Sequence, residues 1–311
     1  MATKTLSENI NQAISDFKGI KQAIIDKGVE IPTGTKTSEY GAKIGEIEGG
    51  SGGLDTSGVT NFYQFCYGNR FNDQLDKIDT RSGTEFAYMF SNCSKLATIP
   101  QINTSNGTIF RYMFQNCSKL TTIPQLDTSQ GTDFSYMFDN CSNLTNIPQL
   151  DTSSGSNFNH MFNGCSTLTT ITELDTSNGL NFNYMFNLCA SLKNIPELNT
   201  SKSTNFTAMF YRCSSLPTIN INSFYSSQYM FSSCIALENL NVTGTITVKN
   251  NYLDLSYSKN LTVESLLNVL NALSDNTSVS TTYKITLGST NLAKLTAEQK
   301  QIAINKNYTL A

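Results

Sequence analysis

Cysteine stands at positions 93, 117, 141, 165, 189 and 213, an unbroken interval of 24 residues. Nothing else in the chain constrains its fold as tightly, because a fixed period of this length marks one structural unit copied and stacked along an axis. Cys66 and Cys234 flank the series at distances of 27 and 21 residues. Other columns keep the same step. Met89-Phe90, Met113-Phe114, Met137-Phe138, Met161-Phe162, Met185-Phe186 and Met209-Phe210 precede a cysteine by three or four residues. Leu96, Leu120, Leu144, Leu168, Leu192 and Leu216 follow it by three, and Ile99, Ile123, Ile147, Ile171, Ile195 and Ile219 come next. A unit this short cannot bury its own apolar side chains, whereas stacked copies bury Leu on Leu, Phe on Phe and Cys on Cys.

One unit, residues Asp127 to Leu150, shows the expected local structure. Asp127-Thr128-Ser129-Gln130-Gly131 has turn chemistry, and Thr132 suits a helix N-cap. Phe134, Met137, Phe138 and Cys141 recur at i, i+3, i+4 and i+7, one face of a short helix. Asn92, Asn116, Asn140 and Gly164 fall where such a helix would end, and both residue types tolerate a left-handed turn. Leu188 and Arg212 break that column. Leu144-Thr145-Asn146-Ile147-Pro148-Gln149-Leu150 then reads as a short strand, with Pro148 restricting it to an edge or to three or four residues. The predicted fold is an α/β repeat solenoid over residues 54–240, a leucine-rich-repeat-like, right-handed stack of 24-residue strand-turn-helix units. Strands about 4.8 Å apart on one side and wider helices on the other predict a curved stack.

The phrase Tyr136-Met137-Phe138-Asp139-Asn140-Cys141-Ser142-Asn143-Leu144, with Leu150-Asp151-Thr152-Ser153 downstream, resembles the BspA-like leucine-rich repeat. That pattern is MF-x-x-C-x-x-L followed by a D-T-S turn. The resemblance spans roughly residues 54–240 and implies cell-surface binding, adhesion and, in phages, fibre or tail proteins. It implies no catalytic residues. The coils around Asn61-Phe62-Tyr63-Gln64-Phe65-Cys66 and Tyr229-Met230-Phe231-Ser232-Ser233-Cys234 depart in spacing, as terminal coils of a solenoid do.

Residues 1–48 have a different period. Leu6, Ile10, Ala13, Phe17, Ile20 and Ile24 alternate by four and three, a heptad seam that Gly28 stops. A second short helix is predicted from about Ser38 to Ile47, and residues 49–53 form a Gly/Ser linker. Two arrangements fit the seam: one helix folded against the second, or a coiled coil, for which fibres commonly use a homotrimer. Leu6 to Gly28, followed by Pro32-Thr33-Gly34-Thr35 and Ser38-Glu39-Tyr40, also resembles N-terminal segments of phage virion proteins that join an appendage to the particle. Residues 241–311 leave the 24-residue period and read as an α/β C-terminal cap. Tyr252 to Leu255, Tyr283 to Leu287 and Tyr308 to Leu310 are its strands. Thr262 caps one helix, and Thr296-Ala297-Glu298-Gln299 is a capping box opening another, to about Asn305.

Charged residues are only 14% of the chain and the net charge is −3, with no basic run, which argues against nucleic acid as a partner. No stretch has the roughly 20 apolar residues that insertion into a membrane needs, and the first nine residues lack the apolar core of a signal peptide. The expected location is therefore the host cytoplasm, then the virion. The eight cysteines suggest disulfides by number, but on the helical side neighbouring coils would lie about 8–10 Å apart, beyond the reach of a bridge. Reduced, buried thiols are expected, and without a CxxC or CxxH pair zinc has no support. The single histidine, His160, stands in a column of tyrosines, Tyr88, Tyr112, Tyr136 and Tyr184. Two residues past the buried Phe, about 200° round a helix, this column should face outward. It is a candidate receptor-contact strip, and equally a row of half-exposed rings packing on each other. Asp79, Asn103, Asp127, Asp151, Asp175 and Asn199 form a further column that caps turns or holds a cation between coils.

No catalytic, cofactor-binding or metal-ligating set is expected, and the two resemblances together with the lack of a signal peptide make a non-enzymatic phage tail or head fibre the leading reading. Residues 1–48 would contact other virion proteins, and the solenoid a host surface protein or glycan. The alternatives are a bacterial BspA-like surface adhesin or protein-interaction scaffold, and an enzyme acting on polysaccharide. The last would need paired carboxylates, for which only Glu238, Asp254 and Glu264 near the end of the stack come forward.

Overall fold

The computed structural model describes residues 56–69 and 72–311. The heptad seam Leu6, Ile10, Ala13, Phe17, Ile20 and Ile24, the second helix and the linker lie outside the described residues.

The central residues form a stack of coils at the expected period, and their core is the expected one. Phe134, Met137, Phe138 and Cys141 are all fully buried, as are their counterparts in neighbouring coils. The backbone that buries them is not helical. Phe110, Tyr112, Phe114 and Asn116 donate their N–H groups to the carbonyls of Asp133, Ser135, Met137 and Asp139 in the next coil, at 2.7–3.0 Å. The residues between them turn inward: Met113, Gln115 and Cys117 donate to Phe110, Tyr112 and Phe114 at 3.1–3.2 Å. The carbonyls of Ile109, Arg111, Met113 and Gln115 accept in turn from Phe86, Tyr88, Phe90 and Asn92 of the preceding coil. Main-chain groups along this segment are thus paired without a helix. Two left-handed residues per coil make the alternation geometrically feasible, Tyr112 at φ 60° and Asn116 at φ 59°.

The segment is built from Phe, Tyr, Ser, Asn and Cys, all indifferent helix formers, and is too short to nucleate a helix alone. The spacing i, i+3, i+4, i+7 correctly identified the buried side chains and wrongly identified the conformation. Thr132 accordingly caps no helix, and its Oγ1 reaches the Thr108 carbonyl one coil back at 3.3 Å. The expected wedge is also absent. On the side assigned to helices the Phe90 and Phe114 rings stack with centroids 5.5 Å apart, so coils there are as close as hydrogen-bonded strands.

Two uninterrupted phenylalanine stacks run through the core. One passes from Phe62 to Phe206 and the other from Phe90 to Phe231, with neighbouring centroids 5.5–5.9 Å apart. Opposite the turn ladder, Pro100, Pro124, Pro148 and Pro196 lack an N–H to donate, and no strand forms around them. Where Thr172 replaces proline, Ile171 donates to the Asn194 carbonyl at 3.0 Å and a parallel bridge forms between Thr170 and Asn194. The first true strand, β1 (Thr218–Ile221), appears where Asn220 stands in the proline column. It pairs in parallel with β3 (Asn239–Val242), and β2 (Phe224–Tyr225) with β4 (Ile246–Thr247).

The cap keeps four of the five expected elements and adds a short helix. α1 (Val263–Ala272) starts at Thr262, whose side chain accepts from the Ser265 N–H. β5 (Tyr283–Ile285) pairs in parallel with β6 (Tyr308–Leu310), and α2 (Gly288–Leu292) and α3 (Ala297–Asn305) lie between them in sequence. The capping box at Thr296 and Gln299 closes with both its hydrogen bonds. Tyr252 to Leu255 is not a strand and contributes only a bridge from Asp254 to Thr286. The 24-residue step in fact persists past residue 241: Ser258 and Leu261 follow Cys234 and Leu237 at that distance. Ser258 Oγ donates to the Cys234 carbonyl at 3.0 Å, taking over the role of a cysteine. α1 then closes the stack with side chains, Ser265 Oγ and Asn268 Oδ1 accepting from the Leu240 and Val242 N–H groups at 2.8 and 2.7 Å. That protects an edge which would otherwise template further strands.

Candidate binding surface

Each turn ladder places its first left-handed residue in the tyrosine column. Tyr88, Tyr112, Tyr136, His160 and Tyr184 have φ of 56–60°, and their rings form a continuous half-buried stack. Neighbouring centroids are 4.3–4.5 Å apart with interplanar angles of 7–22°, much closer than in the phenylalanine stacks. The rings therefore cover each other's faces and leave their edges to solvent, which differs from the outward-facing helical row expected. Tyr63 closes the first end by meeting Tyr88 edge-on at 5.4 Å, and Ala208 ends the column at the other. Burial pushes the Tyr88 and Tyr112 phenols up, so both keep their protons at neutral pH, and the two side chains hydrogen-bond each other. Burial also lowers His160, which stays neutral there, with Nδ1 2.8 Å from Asn159 Oδ1.

The second left-handed column carries an asparagine ladder. Asn116 Nδ2 donates to Asn92 Oδ1 at 3.0 Å and Asn140 Nδ2 to Asn116 Oδ1 at 3.1 Å. The ladder stops at Gly164 (φ 72°), and Leu188 and Arg212 continue the column with φ of 62° and 60°. A groove of about 530 Å³ opens at this interruption. The column itself was visible in the sequence; that losing its amides would open a groove was not, because the expected helix hid the ladder.

The remaining candidate groups serve the stack. All eight cysteines are buried thiols outside any disulfide. From Cys93 to Cys234 each thiol donates to a carbonyl of the preceding coil at 2.9–3.1 Å. Coil separation does not keep them apart, contrary to the spacing expected for helices. Burial pushes Cys189 and Cys234 up to about 12, far from the thiolate a nucleophile requires. The acidic column caps its own turns, Asp127, Asp151 and Asp175 Oδ1 each accepting the N–H of the serine two residues on at 2.9–3.1 Å. Asp254 Oδ1 is occupied in the same way by Ser256. Among the described residues no three His, Cys, Asp or Glu side chains converge as metal ligands would. Nor, among them, is any helix long and apolar enough to cross a membrane.

A family described as "Mycoplasma protein of unknown function, DUF285" matches residues 36–146 and 132–243, about two-thirds of the chain. The chain belongs to this family. Its repeats are of the BspA-like kind, which agrees with the resemblance carried by Tyr136 to Leu144. No curated protein and no solved structure matches the chain.

Proposed function

We propose that this DUF285 chain is a non-catalytic binding protein, a surface adhesin or protein-interaction scaffold of the BspA-like kind. The contact strip in this reading is the column Tyr88, Tyr112, Tyr136, His160 and Tyr184. The observation that carries it is the stack itself: five rings held in left-handed backbone, half-buried, with edges lined up along one side of the solenoid. Stacking occupies the faces, so a partner meets hydroxyl groups and the strip favours hydrogen-bond acceptors over sugars that need an open aromatic face. The thiols and turn carboxylates are engaged within the fold, which supports a role without catalysis.

The test keeps the rings and removes only the edge. In a variant carrying Tyr112→Phe, Tyr136→Phe and Tyr184→Phe, stacking and unfolding midpoint should hold while binding of the labelled full chain to intact cells falls. Undiminished cell binding by the folded triple variant would discard the strip. The virion-appendage reading draws on residues 1–48 and on the same repeat. Density for this chain on a particle, seen by electron microscopy, is what would put that reading first.

A further inference from the structure

The groove over Gly164 has the features of a peptide site, and it is distinct from the tyrosine strip. Its lining includes Asn140, Gly164, Leu188, Ala190, Arg212 and Ile235. At one end, Asn140 donates back to Asn116, while its own Oδ1 leans into the space a following asparagine would fill. A Cβ built on Gly164 would lie 2.5 Å from that oxygen. In earlier coils the equivalent oxygen accepts an amide N–H from the next coil, as Asn92 does from Asn116. Here the ladder offers an acceptor and supplies no donor.

Further along, the groove turns apolar, with Leu188 37% and Ile235 57% exposed. Ile235 replaces the serine that holds this column in Ser94, Ser118, Ser142, Ser166 and Ser214. Arg212 lies in the coil between those of Leu188 and Ile235. Its guanidinium sits 5.2 Å from the Tyr211 ring centroid and, among the described residues, forms no ion pair. The lining contains no aromatic ring on which a sugar could stack.

We propose that this groove binds an extended, acidic peptide segment of a partner protein. A backbone N–H of the peptide donates to Asn140 Oδ1, an aliphatic side chain packs on Leu188, a carboxylate pairs with Arg212 one coil on, and Ile235 of the following coil flanks that pair. From the coil of Asn140 to that of Arg212 is three steps, about 14 Å at the spacing of hydrogen-bonded strands, which about four extended residues span. Arginine suits this position, since its planar fork takes a carboxylate through two parallel hydrogen bonds. Charge complementarity with an otherwise unpaired cation selects an acidic segment over a neutral or basic one.

The experiment uses the full chain and fluorescence anisotropy with a labelled hexapeptide that alternates serine and leucine and ends in aspartate. A matched peptide ending in lysine is the control. The acidic peptide should bind at least about fivefold more tightly, and Arg212→Gln should weaken it by about the same factor. Gly164→Asn should abolish binding and raise the unfolding midpoint, because asparagine already takes this backbone conformation in three coils and the Asn140 amide, a side-chain end, can turn from the 2.5 Å contact to accept from the new one and restore the ladder. The triple tyrosine-to-phenylalanine variant should bind the peptide normally, which separates failure here from failure of the strip. No binding in the millimolar range, equal binding of the two peptides, or full binding by folded Gly164→Asn overturns the proposal. So does competition by phosphatidylserine vesicles that Arg212→Gln removes while leaving peptide binding intact, which would identify the groove as a site for a lipid headgroup.

Discussion

Replacing Gly131 by alanine sets two opposed effects against each other, and the structure decides between them. Gly131 lies outside the left-handed region, so alanine is compatible with its backbone. On that ground alone the change should stabilise by about 0.4–1 kcal/mol, through lost freedom in the unfolded chain. The space forbids it. A Cβ there would meet Phe134 Cζ at 2.5 Å, the Thr128 carbonyl oxygen at 2.9 Å and Phe110 Cδ2 at 3.0 Å. The Phe134 ring cannot swing aside freely, because Phe110 and Phe158 stack on it at 5.8 and 5.9 Å. Overpacking of this sort costs about 1–3 kcal/mol, so the net effect is a loss of up to about 2.6 kcal/mol. The chain itself indicates how the column accepts a larger residue. Ser203 occupies it one coil after Gly179, with Phe206 still stacked on Phe182 at 5.9 Å and the next coil shortened, so that Phe224 meets Phe206 edge-on at 72°. Urea unfolding followed by circular dichroism measures the loss, and a cycle with Phe134→Leu identifies its source. If the ring causes the clash, the double variant loses less than the two singles together by about 1 kcal/mol. Stabilisation by Gly131→Ala, or additivity within about 0.5 kcal/mol, would refute the argument.

Two further outcomes follow from the buried titratable groups. Burial lowers His160 in the fold, so the unfolded chain takes up a proton first as pH falls. Stability is full above the unfolded value of about 6.5 and declines as pH drops from there towards the folded value; His160→Tyr should flatten that decline. Urea midpoints measured on both proteins at about pH 8 and about pH 5 check it, and equal declines would rule out His160 as the cause. The buried thiols should resist a water-soluble thiol reagent in the native protein, and all eight should react once urea unfolds it. Rapid labelling of any one in the folded chain would contradict the hydrogen-bonded ladder.

The sequence makes the stack legible because identical coils bury identical columns, and burial depends on periodicity more than on local conformation. The placement of Phe134, Met137, Phe138 and Cys141 in the core holds for that reason. Conformation was misjudged because a turn with two left-handed residues can present side chains at helical spacing. The contrary signal lay in the residue types, Tyr136 and Asn140 being weak helix formers that recur at the two positions where φ becomes positive. The proline column was underweighted: the short strand expected at Leu144 to Leu150 does not form, and the first strand is β1, where Asn220 stands in that column. The cap was readable down to single hydrogen bonds at Thr262 and Thr296, since capping is a local interaction and needs no knowledge of the stack. The groove was not readable, because it arises from what Gly164 fails to supply to Asn140 in the neighbouring coil.

The tyrosine column also reveals how its surface is maintained. Asparagine and glycine adopt left-handed backbone at small cost, and they hold the second left-handed column from Asn92 to Gly164. Tyrosine and histidine have no such ease, and each pays about 1–2 kcal/mol to be left-handed. Stacking returns about 0.5–1.5 kcal/mol per pair of rings, enough to come close to balance when each ring has a neighbour on both faces. A lone tyrosine in this position would be a poor choice, whereas in a row of five the four stacked pairs offset much of that cost. Where the row ends the chain reverts to Ala208, and the next ring in the column, Tyr229, is 55% exposed and meets only Tyr211, edge-on. Removing one interior ring should therefore loosen both its neighbours. The strip is a cooperative surface, and a partner that binds its edges gains a rigid row of hydroxyl groups, with the histidine as the one place where pH alters it.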